Sequence, residues 1–419
     1  MTKAKKIKTT DKIDDLSNNH IQKLIGISIA AKIILAFATV FVFRSFIDTF
    51  AITYYFEKVI NLFQGQIPYI NYTFEYPVLV FIPALLALIP AVILSSQTIY
   101  ILAFALLMIV CDTITMICIY RISLKIWEDN RRAFIAALLY VTAISVAYVT
   151  ITEFAAFATM LMMIGITLTI ERKEKFSGYL SAMLGFFTKI FPIISLPFLV
   201  LYNSKETSLK TELLSSIKWF SITSLILFVP LYFINPANLD TYIFRINGGD
   251  RGMYASAVTY TVYSWLNDVL HIPITTDLLF TAGKIVMVAG IITLLYVGYK
   301  VKKKDPILLL KLILCALFIV VTCMQFHSPN YDSWYIPIMC ILVAGDLNKI
   351  FLFISTQVIA YIVFPLSFWS LWTNPGYVSA IGTPGWQVAL GLFTMQFVVM
   401  LVLVYLVANP KEIWVSLNE

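Results

Sequence analysis

Charged side chains are scarce in this sequence. Only 13% of the 419 residues are Asp, Glu, Lys or Arg, whereas 60% are hydrophobic and the mean hydropathy is +0.86. Soluble domains carry about 25% charged and roughly 45–50% apolar residues. The scarcity of charge therefore excludes an ordinary soluble domain and predicts a multi-pass membrane protein.

Several chemical signatures are also missing. The sequence contains no GxxxxGK[ST], GxGxxG, HExxH or GxSxG motif, which argues against a nucleotide site, a zinc protease and a serine hydrolase. Its five cysteines lie in apolar runs without the spacing of metal ligands, so neither a disulfide nor a zinc site is expected. Residues 1 to 23 are polar and basic, and they lack a small-residue cleavage site before the first apolar run. We therefore expect a retained tail rather than a cleaved signal peptide.

Long apolar runs are what the sequence has in abundance, and runs of about 20 residues predict helices that span a bilayer. Two segments are ambiguous: 78–95, which contains Pro83 and Pro90, and 178–202, which is broken at Thr188-Lys189-Ile190-Phe191-Pro192. The other candidates lie near 24–43, 99–120, 133–151, 154–170, 213–234, 279–299, 307–326, 334–348, 350–372 and 386–408.

The distribution of positive charge decides between topologies, because cytoplasmic loops are enriched in Lys and Arg. If 78–95 is re-entrant or interfacial and 178–202 is a hairpin with Lys189 at its outer tip, most of the 30 Lys and Arg residues face the cytoplasm. About twelve crossings result, with both termini inside, although a fully spanning 78–95 stays possible. The predicted organisation is one transmembrane domain over 24–408, with cytoplasmic tails at 1–23 and 409–419 and long outer loops at 44–77 and 235–278.

Carboxylates gather at the predicted outer ends of the helices. Asp48 opens the first outer loop, Glu75 precedes Tyr76, and Glu153 lies in a turn between two apolar helices. Ionisable groups at the membrane are functional candidates by default. The plainer interpretation of each carboxylate is a helix cap or a solvated loop charge. Asp112 differs because it lies in the middle of a span, where it must find a partner or a polar cavity, and we interpret it as a structural residue.

Two further outer features carry candidate groups. Lys189, at the tip of the broken hairpin, suits an anionic phosphate, and its plainer interpretation is a snorkelling side chain. The short turn 326–334 contains His327, Asn330 and Tyr331, and its plainer interpretation is a capped turn with interfacial aromatic residues. The first loop also predicts an amphipathic helix on the membrane surface between Phe46 and Phe63.

Taken in order, these residues resemble the polytopic glycosyltransferases of the GT-C fold. They are most similar to the branch of mannosyltransferases that use polyprenyl-phosphate-mannose. Val78 departs from the family pattern, which usually has a second proline there, and this departure leaves the sugar open. The matching segments are Asp48 with Tyr54 and Tyr55, Gly65-Gln66-Ile67-Pro68-Tyr69, Phe74-Glu75-Tyr76-Pro77, Lys189-Ile190-Phe191-Pro192, and Ser328-Pro329-Asn330-Tyr331 with Trp334 and Pro337.

The resemblance implies an inverting transfer of a hexose, expected to be mannose. The donor would be a polyprenyl (dolichyl) monophosphate sugar, and the acceptor a hydroxyl of a lipid-linked or glycan molecule on the outer face. The family pattern implies Asp48 as the base and Lys189, Arg245 and Arg251 as contacts to the lipid phosphate. No metal or other cofactor is expected, because phosphate is already a competent leaving group. The implied contacts to sugar or acceptor are Glu75, Tyr76, Glu153, His327, Asn330 and Tyr331.

Two other functions stay open at this point. One is a secondary transporter or a flippase of lipid-linked sugars, although the sequence shows no second copy of the 44–77 loop or of the broken 178–202 segment, as paired repeats would require. The other is a polysaccharide polymerase or ligase, for which Arg and His residues in late loops are more typical.

Overall fold

The computed structural model describes residues 2–42, 50–72, 74, 76–171, 175–236, 256–367, 372–374, 377–378 and 381–418. These residues are mostly helical, and β1 (Trp372–Asn374) and β2 (Tyr377–Val378) add a small antiparallel hairpin. The predicted all-α, polytopic class is confirmed.

Each predicted apolar run contains one α-helix or two shorter ones. In chain order they are α1 (Thr2–Phe37), α2 (Phe50–Ile60), α3 (Phe81–Ile93), α4 (Gln97–Trp127), α5 (Asn130–Val141), α6 (Ile144–Thr152), α7 (Ala155–Glu171), α8 (Lys175–Phe186), α9 (Ser195–Asn203), α10 (Leu209–Leu227), α11 (Val229–Ile234), α12 (Val258–Tyr263), α13 (Thr276–Lys300), α14 (Pro306–Cys323), α15 (Asp332–Val343), α16 (Leu347–Tyr361), α17 (Pro384–Ala408) and α18 (Pro410–Asn418). Short 3-10 segments lie at Asn61–Gln64, Val78–Val80, Phe191–Ile194 and Pro329–Tyr331, and π-helical turns at Ala38–Val42, Ser264–Val269 and Ile362–Leu366.

Length and composition identify the spans within the described ranges. Six helical stretches qualify, and a seventh is added if α5 and α6, which meet at an angle of 58°, form one bent span. The prediction of about twelve crossings, which also counted shorter apolar helices, stays a prediction. The six stretches are His20–Val42, Gln97–Trp127, Thr276–Lys300, Pro306–Cys323, Leu347–Phe364 and Pro384–Val415.

The two ambiguous segments have distinct structures. Helix α3 has 13 residues, or about 20 Å at roughly 1.5 Å per residue, which is short of a hydrocarbon core about 30 Å thick. Segment 178–202 is broken as predicted, because α8 ends at Phe186 and the chain continues as the 3-10 turn Phe191–Ile194 before α9.

The first helix is longer than its apolar run. Helix α1 starts at Thr2 and passes without a break through the predicted polar tail. Residues 1–23 contain neither Pro nor Gly, so no strong helix breaker separates the tail from the span.

A buried ion pair joins the first helices inside the bundle. Lys32 of α1 pairs with Asp112 of α4, and the two residues are 2% and 0% exposed. Asp112 also accepts hydrogen bonds from the Tyr140 hydroxyl at 2.7 Å and the Thr150 hydroxyl at 3.2 Å. The partner that Asp112 requires is therefore present, and its contacts draw α1, α4, α5 and α6 together.

Candidate functional site

The junction between α6 and α7 presents Glu153. Its backbone is extended (φ −134°, ψ 143°), which ends α6 at Thr152. The Tyr55 hydroxyl of α2 donates to Glu153 Oε2 over 3.0 Å. Tyr55 is 2% exposed, and burial, together with the nearby Glu153 carboxylate, raises the pKa of the Tyr55 hydroxyl well above its usual value. The first loop thus supplies the donor that orients Glu153.

The end of α8 fixes the backbone of Lys189. The Gly185 carbonyl accepts the backbone N–H groups of Thr188 at 3.0 Å and Lys189 at 2.9 Å. A Cβ atom on Gly185 would lie 2.8 Å from Pro192 Cβ, so this close approach of helix and proline ring requires glycine. The segment Lys189-Ile190-Phe191-Pro192 is therefore folded back onto the helix that precedes it.

The Lys189 ammonium lies among an amide, two aromatic rings and a distant carboxylate. Its Nζ is 3.4 Å from Asn330 Oδ1, 5.1 Å from the Phe154 ring centroid and 5.8 Å from that of Tyr331. Burial lowers the pKa of Lys189, and the Glu153 carboxylate partly opposes that shift. A partly desolvated cation with aromatic walls is a suitable site for an anion.

A short turn before α15 presents Asn330. The Tyr331 N–H donates to the Ser328 carbonyl at 2.9 Å, and the Ser333 hydroxyl donates to the Asn330 carbonyl at 2.6 Å. In a regular α-helix, the Ser333 carbonyl would accept a hydrogen bond from the N–H of residue 337, but Pro337 has no N–H. The Thr159 hydroxyl of α7 donates to that carbonyl instead, at 3.4 Å. This hydrogen bond joins α7 to α15.

Aromatic stacking joins this turn to the Lys189 segment. The rings of Phe191 and Trp334 are stacked with centroids 4.4 Å apart and planes 8° apart. Tyr331 and Trp334 are 4.2 Å apart at 31°. Such pairs contribute about 0.5–1.5 kcal/mol beyond their buried area. The stack holds Lys189 and Asn330 in one place.

The first loop reaches the same place through Tyr76, and the 3-10 segment Val78–Val80 that follows it does so through Leu79. The Tyr76 ring meets the Phe154 ring edge to face at 4.6 Å, and the Leu79 N–H donates to the Phe187 carbonyl at 3.0 Å. Helix α2 of this loop falls inside the predicted amphipathic stretch and buries Ile52, Tyr55 and Val59 on one face. We call the region around Lys189, Asn330, Tyr331, Glu153 and Tyr76 the Lys189 site.

His327 lies behind the turn rather than beside Lys189. Its Nε2 is 3.7 Å from Asp332 Oδ1, and its ring centroid is 5.6 Å from that of Tyr331. Sequence reasoning assigned no role to Asp332, Phe154 or Tyr55. Three sequence signals could have identified them. Asp332 is a carboxylate at the start of an apolar helix, Phe154 is next to Glu153, and Tyr55 belongs to the first-loop pattern.

Four predicted site residues, Asp48, Glu75, Arg245 and Arg251, lie outside the described residues. Within the described ranges, no group of three or more His, Cys, Asp or Glu side chains could hold a metal ion. The independence from metal stays a prediction.

Three of the solved structures that resemble this chain are described here. ArnT from Cupriavidus metallidurans in the apo state is 15% identical with a TM-score of 0.44, and the match covers 82% of this chain and 65% of ArnT. The same enzyme bound to undecaprenyl phosphate is 14% identical with a TM-score of 0.48, covering 93% of this chain and 75% of that one. The Archaeoglobus fulgidus oligosaccharyltransferase in the apo form is 12% identical with a TM-score of 0.46, covering 94% and 56%.

This chain thus spans less than two thirds of the length of apo ArnT and of the oligosaccharyltransferase. No family model and no curated protein sequence matches it.

Proposed function

We propose that this protein is an inverting glycosyltransferase of the GT-C type. It moves a hexose, with mannose as the first candidate, from a polyprenyl (dolichyl) monophosphate to a hydroxyl of a lipid-linked or glycan acceptor at the outer face of the membrane. The observation that carries this proposal is the Lys189 site. Three segments that are distant in sequence, and whose patterns resemble those of such enzymes, meet around one partly desolvated ammonium.

Lys189 binds the phosphate of the donor in this proposal. Its ammonium is attracted to the anion, and the aromatic walls of Phe154 and Tyr331 reduce competition from water. Arg245 and Arg251, from the second long outer loop, would add positive charge to the same phosphate.

Asp48 acts as the base. The acceptor hydroxyl attacks the anomeric carbon from the face opposite the phosphate, its proton passes to the Asp48 carboxylate, and the bond between carbon and phosphate oxygen breaks. The electron pair of that bond leaves with the polyprenyl phosphate, so the charges balance without a metal ion or a general acid.

The remaining groups bind the sugar or the acceptor. One carboxylate oxygen of Glu153 accepts a hydrogen bond from the Tyr55 hydroxyl. The other oxygen accepts a hydrogen bond from a sugar hydroxyl in this proposal. Asn330 links the phosphate contact to the turn, and the rings of Tyr76 and Tyr331 offer apolar faces to a pyranose ring. We assign Glu75 to the residues that bind the sugar or the acceptor because it is next to Tyr76 in the sequence.

The test is direct transfer by the purified protein. The protein is reconstituted in vesicles with radiolabelled polyprenyl-phosphate-mannose and a total membrane glycolipid extract. We expect a labelled glycolipid, its loss with Asp48→Asn, and unchanged donor binding by that variant. Glu57→Gln, which alters an exposed carboxylate in the same loop, is the matched control.

Two results would redirect the proposal. Near-normal transfer by a well-folded Asp48→Asn protein would remove Asp48 as the base. Movement of the labelled lipid across the vesicle membrane without any product would favour the flippase alternative. Cysteine labelling from either side of sealed vesicles tests whether both termini are cytoplasmic and whether the Lys189 site faces outward.

A further inference from the structure

A compact loop begins in the last turn of α2. The Tyr72 hydroxyl donates to the Lys58 carbonyl, and this contact closes the loop at its base. The Tyr69 ring, which is buried, meets the ring of Phe81 at the start of α3 edge to face, with centroids 5.7 Å apart. The loop is therefore fixed at its base and along one side. We call residues 58–72 the Lys58 loop.

The tip of the Lys58 loop exposes large apolar side chains. Phe63 is 64% exposed, Ile67 is 48% exposed and Ile70 is 43% exposed. Single exposed apolar residues are common on protein surfaces, but here three of them share one short loop. No charged residue occurs from Val59 to Phe74. The tip therefore lacks the charged groups that usually accompany a loop in water.

The backbone of the tip satisfies its own hydrogen-bond donors. From position 65 to position 71, every N–H group donates within the loop, and Pro68 has no N–H. Hydrocarbon offers no partner to an exposed N–H, so a loop that enters lipid must satisfy these donors internally. The Lys58 loop meets that requirement. The donors and acceptors are Gly65 N–H to the Leu62 carbonyl at 3.1 Å, Gln66 to Asn61 at 3.1 Å, Ile67 to Asn71 Oδ1 at 2.7 Å, Tyr69 to the Tyr72 carbonyl at 2.9 Å, and Ile70 and Asn71 to the Ile67 carbonyl at 3.2 and 2.9 Å.

The base of the loop carries a cation between two tyrosines. Lys58 Nζ is 5.2 Å from the Tyr54 ring centroid and 5.5 Å from that of Tyr72. This ammonium forms no ion pair with a carboxylate of the described residues. Lysine and tyrosine side chains are typical of the headgroup level of a membrane, where the rings lie at the interface and the ammonium meets phosphates. The apolar tip and the cationic base thus match the two layers of a membrane surface.

The Lys58 loop lies beside a helix with an exposed apolar face. Helix α3, on whose first residue Tyr69 packs, exposes Ile82, Ile89 and Ile93. In a multi-pass membrane protein, such a face contacts acyl chains. The exposed side chains of the tip therefore occur next to a surface that already requires lipid.

We propose that the Lys58 loop inserts its tip into the adjacent membrane leaflet. Phe63, Ile67 and Ile70 lie among the upper acyl chains, and the Lys58 ammonium lies beside the phosphates of the surrounding phospholipids. The neutral polar side chains of the tip still reach the headgroups, because interfacial segments bury their apolar face only about 5–10 Å deep. This membrane-binding surface goes beyond the proposed function, since it requires no substrate.

The Lys58 loop is also joined to the Lys189 site. The Tyr69 hydroxyl donates to the Tyr76 carbonyl, and the Tyr76 ring contacts the Phe154 ring, whose centroid is 5.1 Å from Lys189 Nζ. An inserted tip therefore holds the Lys189 site at the membrane surface, where the phosphate of a lipid-borne donor lies. This consequence rests on the proposed function, whereas the insertion itself does not.

Spin labels measure the depth of the tip directly. Phe63→Cys, Ile67→Cys and Ile70→Cys are labelled singly, in protein whose five native cysteines are replaced by alanine, and reconstituted in phosphatidylcholine vesicles. We expect each label to be more accessible to oxygen, which partitions into acyl chains, than to a water-soluble nickel complex. Glu57→Cys, at an exposed position of α2, is the matched control and should show the reverse order.

Two results would overturn the insertion. Tip labels that are more accessible to the nickel complex than to oxygen would place the tip in water. Tip labels that neither reagent reaches would mean that protein, rather than lipid, covers the tip. If the cysteine-free protein does not fold, quenching of Phe63→Trp by brominated lipid, measured against the unmodified protein, decides between lipid and water.

The role of the cation is tested in the same vesicles. Lys58→Glu should raise the accessibility of the label at position 63 to the nickel complex, because a carboxylate at the base is repelled by lipid phosphates. Lys58→Arg keeps the charge and should leave the label at its original depth. An unchanged depth for Lys58→Glu would contradict the contact between Lys58 and phosphate.

A binding experiment tests the link to the Lys189 site. For Phe63→Ser combined with Ile67→Ser, we expect the Kd for polyprenyl phosphate in vesicles to rise severalfold and the Kd for a short, water-soluble prenyl phosphate to stay unchanged. Leu347→Ser combined with Phe351→Ser removes two exposed apolar side chains at the start of α16 and is the control. Equal loss for both ligands, or no loss for either, would contradict the link.

The outcomes separate the insertion from the proposed function. If the unmodified protein does not bind polyprenyl phosphate while the tip labels lie at lipid depth, the proposed function is contradicted and the insertion stands. If the protein transfers sugar while the tip labels lie in water, the insertion is contradicted and the glycosyltransferase stands.

Discussion

The indole ring of Trp334 lies flat against the phenyl ring of Phe191, with centroids 4.4 Å apart. Trp334 belongs to the turn of Asn330, and Phe191 to the segment of Lys189. We predict that Trp334→Leu weakens binding of polyprenyl phosphate severalfold, because the stack that holds Lys189 near Asn330 is lost. The measurement is the Kd for the lipid phosphate in nanodiscs.

The matched control is a second aromatic pair away from the site. Phe176 and Trp219 have ring centroids 4.1 Å apart, and Trp219→Leu should leave the Kd for the lipid phosphate unchanged. Equal effects of the two tryptophan substitutions would mean that general loss of packing, rather than placement of Lys189, controls binding.

Lys189 itself should contribute most to donor affinity. We predict that Lys189→Met raises the Kd for polyprenyl phosphate about 10- to 100-fold, the range expected when a hydrogen bond to a charged group is removed. Lys349→Met is the control, since Lys349 lies 3.7 Å from Asp346 in a different part of the chain. An unchanged Kd for Lys189→Met would exclude this lysine as the phosphate contact.

The pH dependence of donor binding should report the environment of Lys189. Burial lowers the pKa of this ammonium, so the positive charge is present below the lowered pKa and is lost as pH rises through it. We predict that, as the pH is raised, the affinity for polyprenyl phosphate falls at a lower pH than it would if Lys189 had the pKa of an exposed lysine. The measurement is the Kd for the lipid phosphate across a pH series.

A substitution of Glu153 provides the comparison for this pH series. The Glu153 carboxylate raises the Lys189 pKa against the effect of burial, so Glu153→Gln should move the loss of binding to still lower pH. Superimposable pH profiles for the two proteins would contradict the electrostatic coupling between these residues.

The ion pair between Lys32 and Asp112 should matter for stability. We predict that Lys32→Met destabilises the protein by about 3–5 kcal/mol, because it leaves an unpaired carboxylate in the bundle. Lys32→Met combined with Asp112→Leu should recover most of that loss, since both charges are then absent. Unfolding of the reconstituted proteins provides the measurement, and a single variant as stable as the original would refute the prediction.

The sequence was most informative where a local residue type determines the backbone. Pro192 and the polar residues around it predicted the break at Lys189, and the short interruption at Glu153 predicted the turn before α7. The bend of 58° between α5 and α6 was not predicted. Residues 130–152 contain neither proline nor glycine, so the usual sequence signals for a kink are absent.

Contacts between distant segments were beyond the reach of local patterns. Ordered motifs suggested that the first loop, Lys189 and Asn330 act together, but they did not reveal that Phe154, Phe191 and Trp334 hold them in place. Likewise, His327 stood out as a polar residue in a turn, whereas the hydrogen bond that its carbonyl accepts from the Ser256 hydroxyl at 2.8 Å joins residues 71 positions apart. Side-chain partners of this kind follow from tertiary packing, which residue spacing does not encode.

The bond between the Leu79 N–H and the Phe187 carbonyl uses main-chain atoms only. Its donor survives exchange of Leu79 for any residue except proline, and its acceptor survives any exchange of Phe187. The contact between the turn Val78–Val80, which follows the first loop, and the end of α8 can therefore persist while the side chains around it change.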